Sequence, residues 1–266
     1  GEGGTGFSAA STSSTACSSC GVDLELNSYV LTHGAGSYSA YVQVSGQKSP
    51  VNINIGGNGV IQTSDQAIAA IYVDAGNASP VSIVNNGYIV AASNSGVAID
   101  GATANITNNY FIQGDINTRS ADLTGHTILN NGTIWAYRQI MASTLTNRGR
   151  IVLGSFHGGS SQATITGNLV STGDIISTLD SNGHLARLQV NGTASLSGRI
   201  LILGSHDMPK PQALLSATSI SLTGPLSAAP VIYDGNTETF SVVQNSPFNY
   251  TTALDSQKQN LMVTQR

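Results

Sequence analysis

Charged side chains are scarce in this chain of 266 residues, at 9%, with three Glu and three Lys in all. With so few of the residues that favour helices, almost no helix is expected. Basic runs are missing and the net charge is −4, and one Trp and five Phe leave little to stack on bases. Nucleic acid is therefore not an expected partner. No apolar stretch approaches the roughly eighteen residues of a membrane span. No signal-peptide pattern precedes Gly1, so the chain reads as a mature or excised piece. Only two cysteines occur, as Cys17-Ser-Ser-Cys20. Two alone make a poor zinc site, and a redox pair would need a helix to carry it. Set against free or catalytic thiols, a small Cys17–Cys20 disulfide loop is the expectation, contributing about 2 kcal/mol and pointing to an oxidising, exported setting. Disorder does not fit either, because 40% of the residues are hydrophobic and fall in period-two runs.

What the chain does have is a repeat. Val81–Val90, VSIVNNGYIV, recurs as Ile55–Ile61 (IGGNGVI), Ile106–Ile112 (ITNNYFI), Ile128–Ile134 (ILNNGTI), Leu145–Ile151 (LTNRGRI), Leu169–Ile175 (LVSTGDI) and Ala194–Ile200 (ASLSGRI). The copies align on Gly59, Gly87, Gly132, Gly149, Gly173 and Gly198, with Tyr110 replacing glycine once. Isoleucine always stands two places later, at Ile61, Ile89, Ile112, Ile134, Ile151, Ile175 and Ile200, while the residue between follows no rule. One column is buried and its neighbour faces out. Four places before the glycine come Ile55, Ile83, Ile106, Ile128, Leu145 and Leu169. A short strand, a polar corner and a second strand, repeated every twenty-odd residues, describe an all-β solenoid, the right-handed parallel β-helix. A spacing averaging roughly 23 residues gives roughly 11 coils, and at about 4.8 Å per coil a rod on the order of 50 Å long. Glycine suits a corner that needs positive φ. Asn85, Asn108, Asn130 and Asn147 share one place in four successive repeats, which predicts an internal asparagine ladder.

The chain divides into a Gly/Ser/Thr-rich lead or cap over 1–21, a β-helix body over 22–187 with longer excursions at Gly114–Gly125 and Phe156–Gln162, and a C-terminal part over 188–266. That last part contains Leu188-Gln-Val190, Asn191-Gly192 and Leu196–Leu203, then Ala213–Ala217, Ser219–Gly224 and a tyrosine-bearing tail at Tyr250–Leu254 and Leu261–Val263. It resembles the autochaperone region of autotransporter passenger domains, and the N-N-G-x-I corners look like the β-helix repeats of that family. The resemblance implies a type V secretion passenger of a Gram-negative bacterium with a C-terminal β-hairpin cap, extracellular or displayed at the cell surface. It also implies membrane attachment only through a C-terminal β-barrel missing from this sequence.

The residues give little sign of an enzyme. Neither a Gly-Asp-Ser-Gly core nor a Gly-x-Ser-x-Gly elbow occurs. Asp65, Asp74, Asp100, Asp115, Asp122 and Asp174 lie singly, and His33, His126, His157, His184 and His206 lack metal-ligand spacing. No catalytic residue, metal or cofactor is assigned. Tyr88 and Phe111 occupy one lateral position on adjacent repeats, and Trp135, Tyr137 and Arg138 follow the next corner, which predicts an aromatic strip as the candidate binding surface. Low charge with abundant Asn, Ser and Thr fits an adhesin. It would stick to copies of itself on neighbouring cells, as in aggregation or biofilm, or to a host or matrix protein or glycan. The alternatives are a polysaccharide-active β-helix enzyme and a released effector that binds a host receptor.

Overall fold

The structure, a computed structural model, describes residues 5–11, 18–45, 48–64, 67–76, 79–92, 96–154 and 162–266. Among these there is no helix, and strands account for the regular structure. As far as Asn168–Ser171, each strand pairs in parallel with the one three places further along the chain, which builds three long rows compatible with a β-helix or solenoid. The first row starts Val22–Leu26, Val51–Ile55, Val81–Asn85 and Asn105–Asn108. The second starts Tyr29–Thr32, Val60–Thr63, Tyr88–Ala91 and Phe111–Gln113. The third starts Thr5–Ser11, Tyr38–Val44, Ala69–Ala75 and Val97–Gly101. Parallel stacking persists beyond residue 188, where Thr193–Leu203 carries both first-row and second-row segments and is covered by Ser219–Asp234. Only then does the pattern turn antiparallel. Asn260–Gln265 closes the third row against Gln212–Ser216 and pairs with Tyr250–Leu254, and Thr239–Val242 folds back on Val231–Asp234.

The isoleucines two places after the landmark stand in one register column: Ile61, Ile89, Ile112, Ile134, Ile151, Ile175 and Ile200. Each is at most 2% exposed. Branching at Cβ suits a pleated surface on which identical side chains nest, and full burial of each contributes roughly 2 kcal/mol. A third-row column that the repeat did not reveal, Ala40, Ile71, Ile99, Ile116, Ile140, Ile165 and Val190, completes the interior.

Two details of the repeat differ from the expectation. Ile55 does not share a column with Ile83; Ile53 does, and Ile55 pairs with Asn85. The cause is a longer corner, four residues at 56–59 where the next rung has two at 86–87, so alignment on glycine shifts the first strand by one full pleat period. The column glycines, moreover, are not there for positive φ, which only Gly198 of the set adopts. Their role is close approach. A Cβ on Gly87 would lie 2.3 Å from the Gly59 carbonyl oxygen, on Gly149 2.0 Å from that of Gly132, and on Gly173 2.1 Å from that of Gly149. The same carbonyls accept the N–H of the following rung: Tyr88 N from Gly59 O is 2.9 Å, Arg150 N from Gly132 O 2.7 Å and Asp174 N from Gly149 O 2.8 Å. Where Tyr110 interrupts the column, the bond from Phe111 N to Gly87 O lengthens to 3.2 Å.

Beneath these corners the asparagines bond along the stack. Asn85 Nδ2 donates to Asn108 Oδ1 (2.8 Å), Asn108 to Asn130 (2.8 Å), Asn130 to Asn147 (2.7 Å) and Asn147 to Ser171 Oγ (3.0 Å). The second proton of each amide goes to a carbonyl of the adjoining rung, at Phe111, Thr133, Arg150 and Asp174. All four asparagines are fully buried. A second amide column, exposed and unforeseen, runs beside it from Asn131 to Asn109 to Asn86 to Asn54.

Candidate binding site

The outward positions of the second row are apolar where solvent-facing residues would be polar. Trp135, Val152, Ile176 and Leu201 share one register column, and none is more than 2% exposed. What covers them is the C-terminal hairpin formed by Val231–Asp234 and Thr239–Val242. Its turn is built by Asp234, whose Oδ1 accepts the Asn236 N–H (2.9 Å) and whose Oδ2 accepts the Thr237 hydroxyl (2.9 Å). These bonds hold its carboxyl below the usual range. Tyr233 meets Trp135 edge-on at 5.9 Å and Phe240 lies 6.3 Å from the same indole. The hairpin tip reaches the early repeats, where the Tyr88 hydroxyl donates to Glu238 Oε2 at 2.6 Å. Burial first, and that bond second, push the Tyr88 phenol well above its ordinary value.

The predicted aromatic strip is therefore split. Trp135 and Tyr137 are buried, at 2% and 6% exposure, because the hairpin needs an apolar seat. Trp135 Nε1 donates to the Gly154 carbonyl (2.7 Å), and the Tyr137 hydroxyl meets Gln113 and the Ala91 carbonyl. Arg138 belongs to Asp115, a fully buried carboxylate that accepts the Arg138 N–H, Nε and Nη2 and the Gln139 N–H. Tyr88 and Phe111 stay half-buried and in ring contact at 5.6 Å, beside Tyr110, which is 46% exposed.

Between the hairpin tip and the corners opens a cleft of about 580 Å³. Tyr110 and Phe111 form one wall, Tyr233, Glu238 and Phe240 another, and the floor is made by the glycine column with Arg148, Arg150, Asp174 and Arg199. Arg150, Asp174 and Arg199 follow one another in register. Arg199 engages both oxygens of Asp174 at 2.8 Å each, whereas Arg150 stands 3.9 Å away and 5.9 Å from the centre of the Phe240 ring. The bonds to Asp174 raise the Arg199 pKa further. Arg148 is exposed, and its guanidinium has no bonding partner among the described residues.

A second aromatic group, also unforeseen, sits on the third row. Tyr38, Tyr41 and Tyr72 have ring centres 4.8 to 5.6 Å apart, and the Arg119 guanidinium lies 4.4 Å from that of Tyr72. Arg119 comes from the 114–125 excursion and is 3.8 Å from Asp100.

Of the other sequence candidates, Cys20 is in a disulfide, and Cys17, the chain's one other cysteine, lies outside the described residues, as do Asp65 and His157. His126 is fully buried with Nδ1 accepting the Ala104 N–H at 2.8 Å, and burial lowers its pKa to about 4. His184 pairs with Asp180 at 3.5 Å. No group of three or more His, Cys, Asp or Glu side chains that could hold a metal occurs among the described residues. No protein family, curated protein or solved structure matches this chain.

Proposed function

We propose that the chain is a right-handed parallel β-helix of about nine coils, the passenger of a type V secretion system, and that it acts outside the cell as a non-enzymatic adhesin. Nine coils follow from reading each row as nine parallel strand segments. The larger sequence-based number counts the C-terminal residues that go into antiparallel hairpins. The autotransporter assignment rests on the resemblance of the repeats and tail, and the hairpin and antiparallel closure at that end are in keeping with it.

The observation that carries the adhesive reading is the outer face of the first row. Its register column runs Asp23, Asn52, Ser82, Asn105, Thr127, Thr144, Asn168, Thr193 and Ser219. After Asp23 it carries no charge, and every member is exposed or half-buried. The second row is roofed from Trp135 onward and the third bears tyrosines, while the first row stays open and, beyond Asp23 and Glu25 on its first strand, uncharged. Two copies facing each other along it would sum many weak amide and hydroxyl bonds with no repulsion between like charges. Cells displaying the chain should clump, and Asn105→Lys with Thr127→Lys and Thr144→Lys should disperse them. Clumping that survives the triple substitution removes homotypic adhesion through this face.

One observation favours a second reading, a polysaccharide-active enzyme: Asp174 and Glu238 line the same cleft. Against it, Arg199 holds both Asp174 oxygens and Tyr88 occupies Glu238. Release of reducing ends from an acidic polysaccharide, abolished by Asp174→Asn, would establish it.

A further inference from the structure

The geometry points to the cleft between hairpin and corners as a binding site for an acidic saccharide, one that carries carboxylate or sulfate groups. The whole chain is anionic, at −4, yet this cleft gathers three guanidiniums, Arg148, Arg150 and Arg199, against two carboxylates, Asp174 and Glu238. Arg199 satisfies Asp174 on both oxygens, so Arg150, 40% exposed and 3.9 Å away, is in excess, and Arg148 has no bonding partner among the described residues. The carboxylate on the facing wall, Glu238, is turned to the Tyr88 hydroxyl. Guanidinium forks match the planar oxygens of a carboxylate or sulfate, and matching them in a partly enclosed site strengthens the attraction.

The charge alone would suit any anion; the walls narrow the class. Phe240 and Phe111 bring aromatic rings to the cleft and Tyr110 stands 46% exposed beside them. Such rings take the apolar C–H face of a pyranose, and the arginines take its acidic substituent. The exposed amides of Asn109 and Asn131 are within the same cleft for its hydroxyls. A volume of about 580 Å³ is that of a small-ligand site. This assignment does not depend on the first-row face, so clumping through that face and saccharide capture here stand or fall separately.

The test is calorimetric titration of the chain with tetragalacturonate and with a sulfated tetrasaccharide, alongside the methyl ester of the first and a neutral galactose tetramer. At least one acidic oligomer should bind, about tenfold or more tightly than the uncharged pair, and binding should weaken as salt is added. Which acidic oligomer wins tells carboxylate from sulfate. Arg148→Ala with Arg150→Ala should lose binding, while Arg187→Ala, on the third row, should not. Unchanged thermal unfolding of the double variant shows that the loss is local. Equal binding of ester and acid, full binding by the double variant, or tighter binding of polyglutamate than of either acidic sugar would each overturn the assignment.

Discussion

Replacing Asn130 by alanine removes three hydrogen bonds from the middle of the buried ladder: the one it accepts from Asn108 (2.8 Å), the one it donates to Asn147 (2.7 Å) and the one it donates to the Arg150 carbonyl (2.9 Å). The side-chain partners cannot turn to water, because Asn108 and Asn147 are both 0% exposed. An amide proton of Asn108 and Oδ1 of Asn147 are stranded, and the Arg150 carbonyl loses a donor. With two buried orphans at about 1–3 kcal/mol each, the loss comes to about 2–6 kcal/mol. The control is the next residue. Asn131→Ala deletes the same side chain from the exposed amide column, where its bond to Asn109 (2.9 Å) is replaced by water, at a cost within about 0.5 kcal/mol. Guanidinium unfolding followed by far-ultraviolet circular dichroism and by Trp135 emission measures both. Two probes are needed because stacked repeats unfold in more than one step. If the midpoints of both variants shift by the same small amount, the ladder contributes nothing beyond turn preference.

Other outcomes follow from the same geometry. Gly149→Ala places a methyl 2.0 Å from the Gly132 oxygen and should cost about 1–3 kcal/mol, whereas Gly76→Ala, with open space around it, should be neutral or slightly stabilising; thermal midpoints separate the two. Phe240→Ala should loosen the hairpin by about 2 kcal/mol and shift Trp135 emission to the red while leaving the strand signal in circular dichroism intact. His126 has its pKa lowered in the folded state from 6.5 to about 4. Its neutral form is favoured by folding, so its contribution is complete above pH 6.5 and is lost as the pH falls from 6.5 to 4. The loss amounts to about 3 kcal/mol. His126→Gln keeps an acceptor for the Ala104 N–H and should flatten that part of the stability profile; an unchanged slope would assign it to other groups.

How much of this was legible in the sequence depends on distance along the chain. A ladder bond joins residues 17 to 24 apart, and the isoleucine column repeats at a similar interval, so one repeat unit contains the information for its own contacts. The columns and the asparagines could therefore be read. Ile55 could not be placed, because glycine marks the end of a corner and says nothing of its length. The glycine column was visible but its reason was not. Close approach of stacked carbonyls is a property of the stack, while positive φ is a property of one residue.

The binding surface was harder for the opposite reason. Glu238 meets Tyr88 across 150 residues, and no local pattern announces that meeting. A signal was nevertheless present: Ile151-Val152-Leu153, Ile175-Ile176 and Ile200-Leu201-Ile202 are unbroken apolar runs, whereas first-row strands such as Val22–Leu26 and Val51–Ile55 alternate. A strand buried on one face alternates, and one buried on both does not. Those runs state that something lies over the second row from about Trp135 onward, which turns an apparently exposed tryptophan into a seat for the hairpin. The same reasoning marks the first row as the uncovered face, because its alternation never fails between Asn105 and Ser171 in burial or in register. In a stacked fold the interior is set by the repeat, and the faces are set by what the chain later lays over them. The place to look for a partner is then the row whose outward positions stay uncovered, together with the seam where the cover ends.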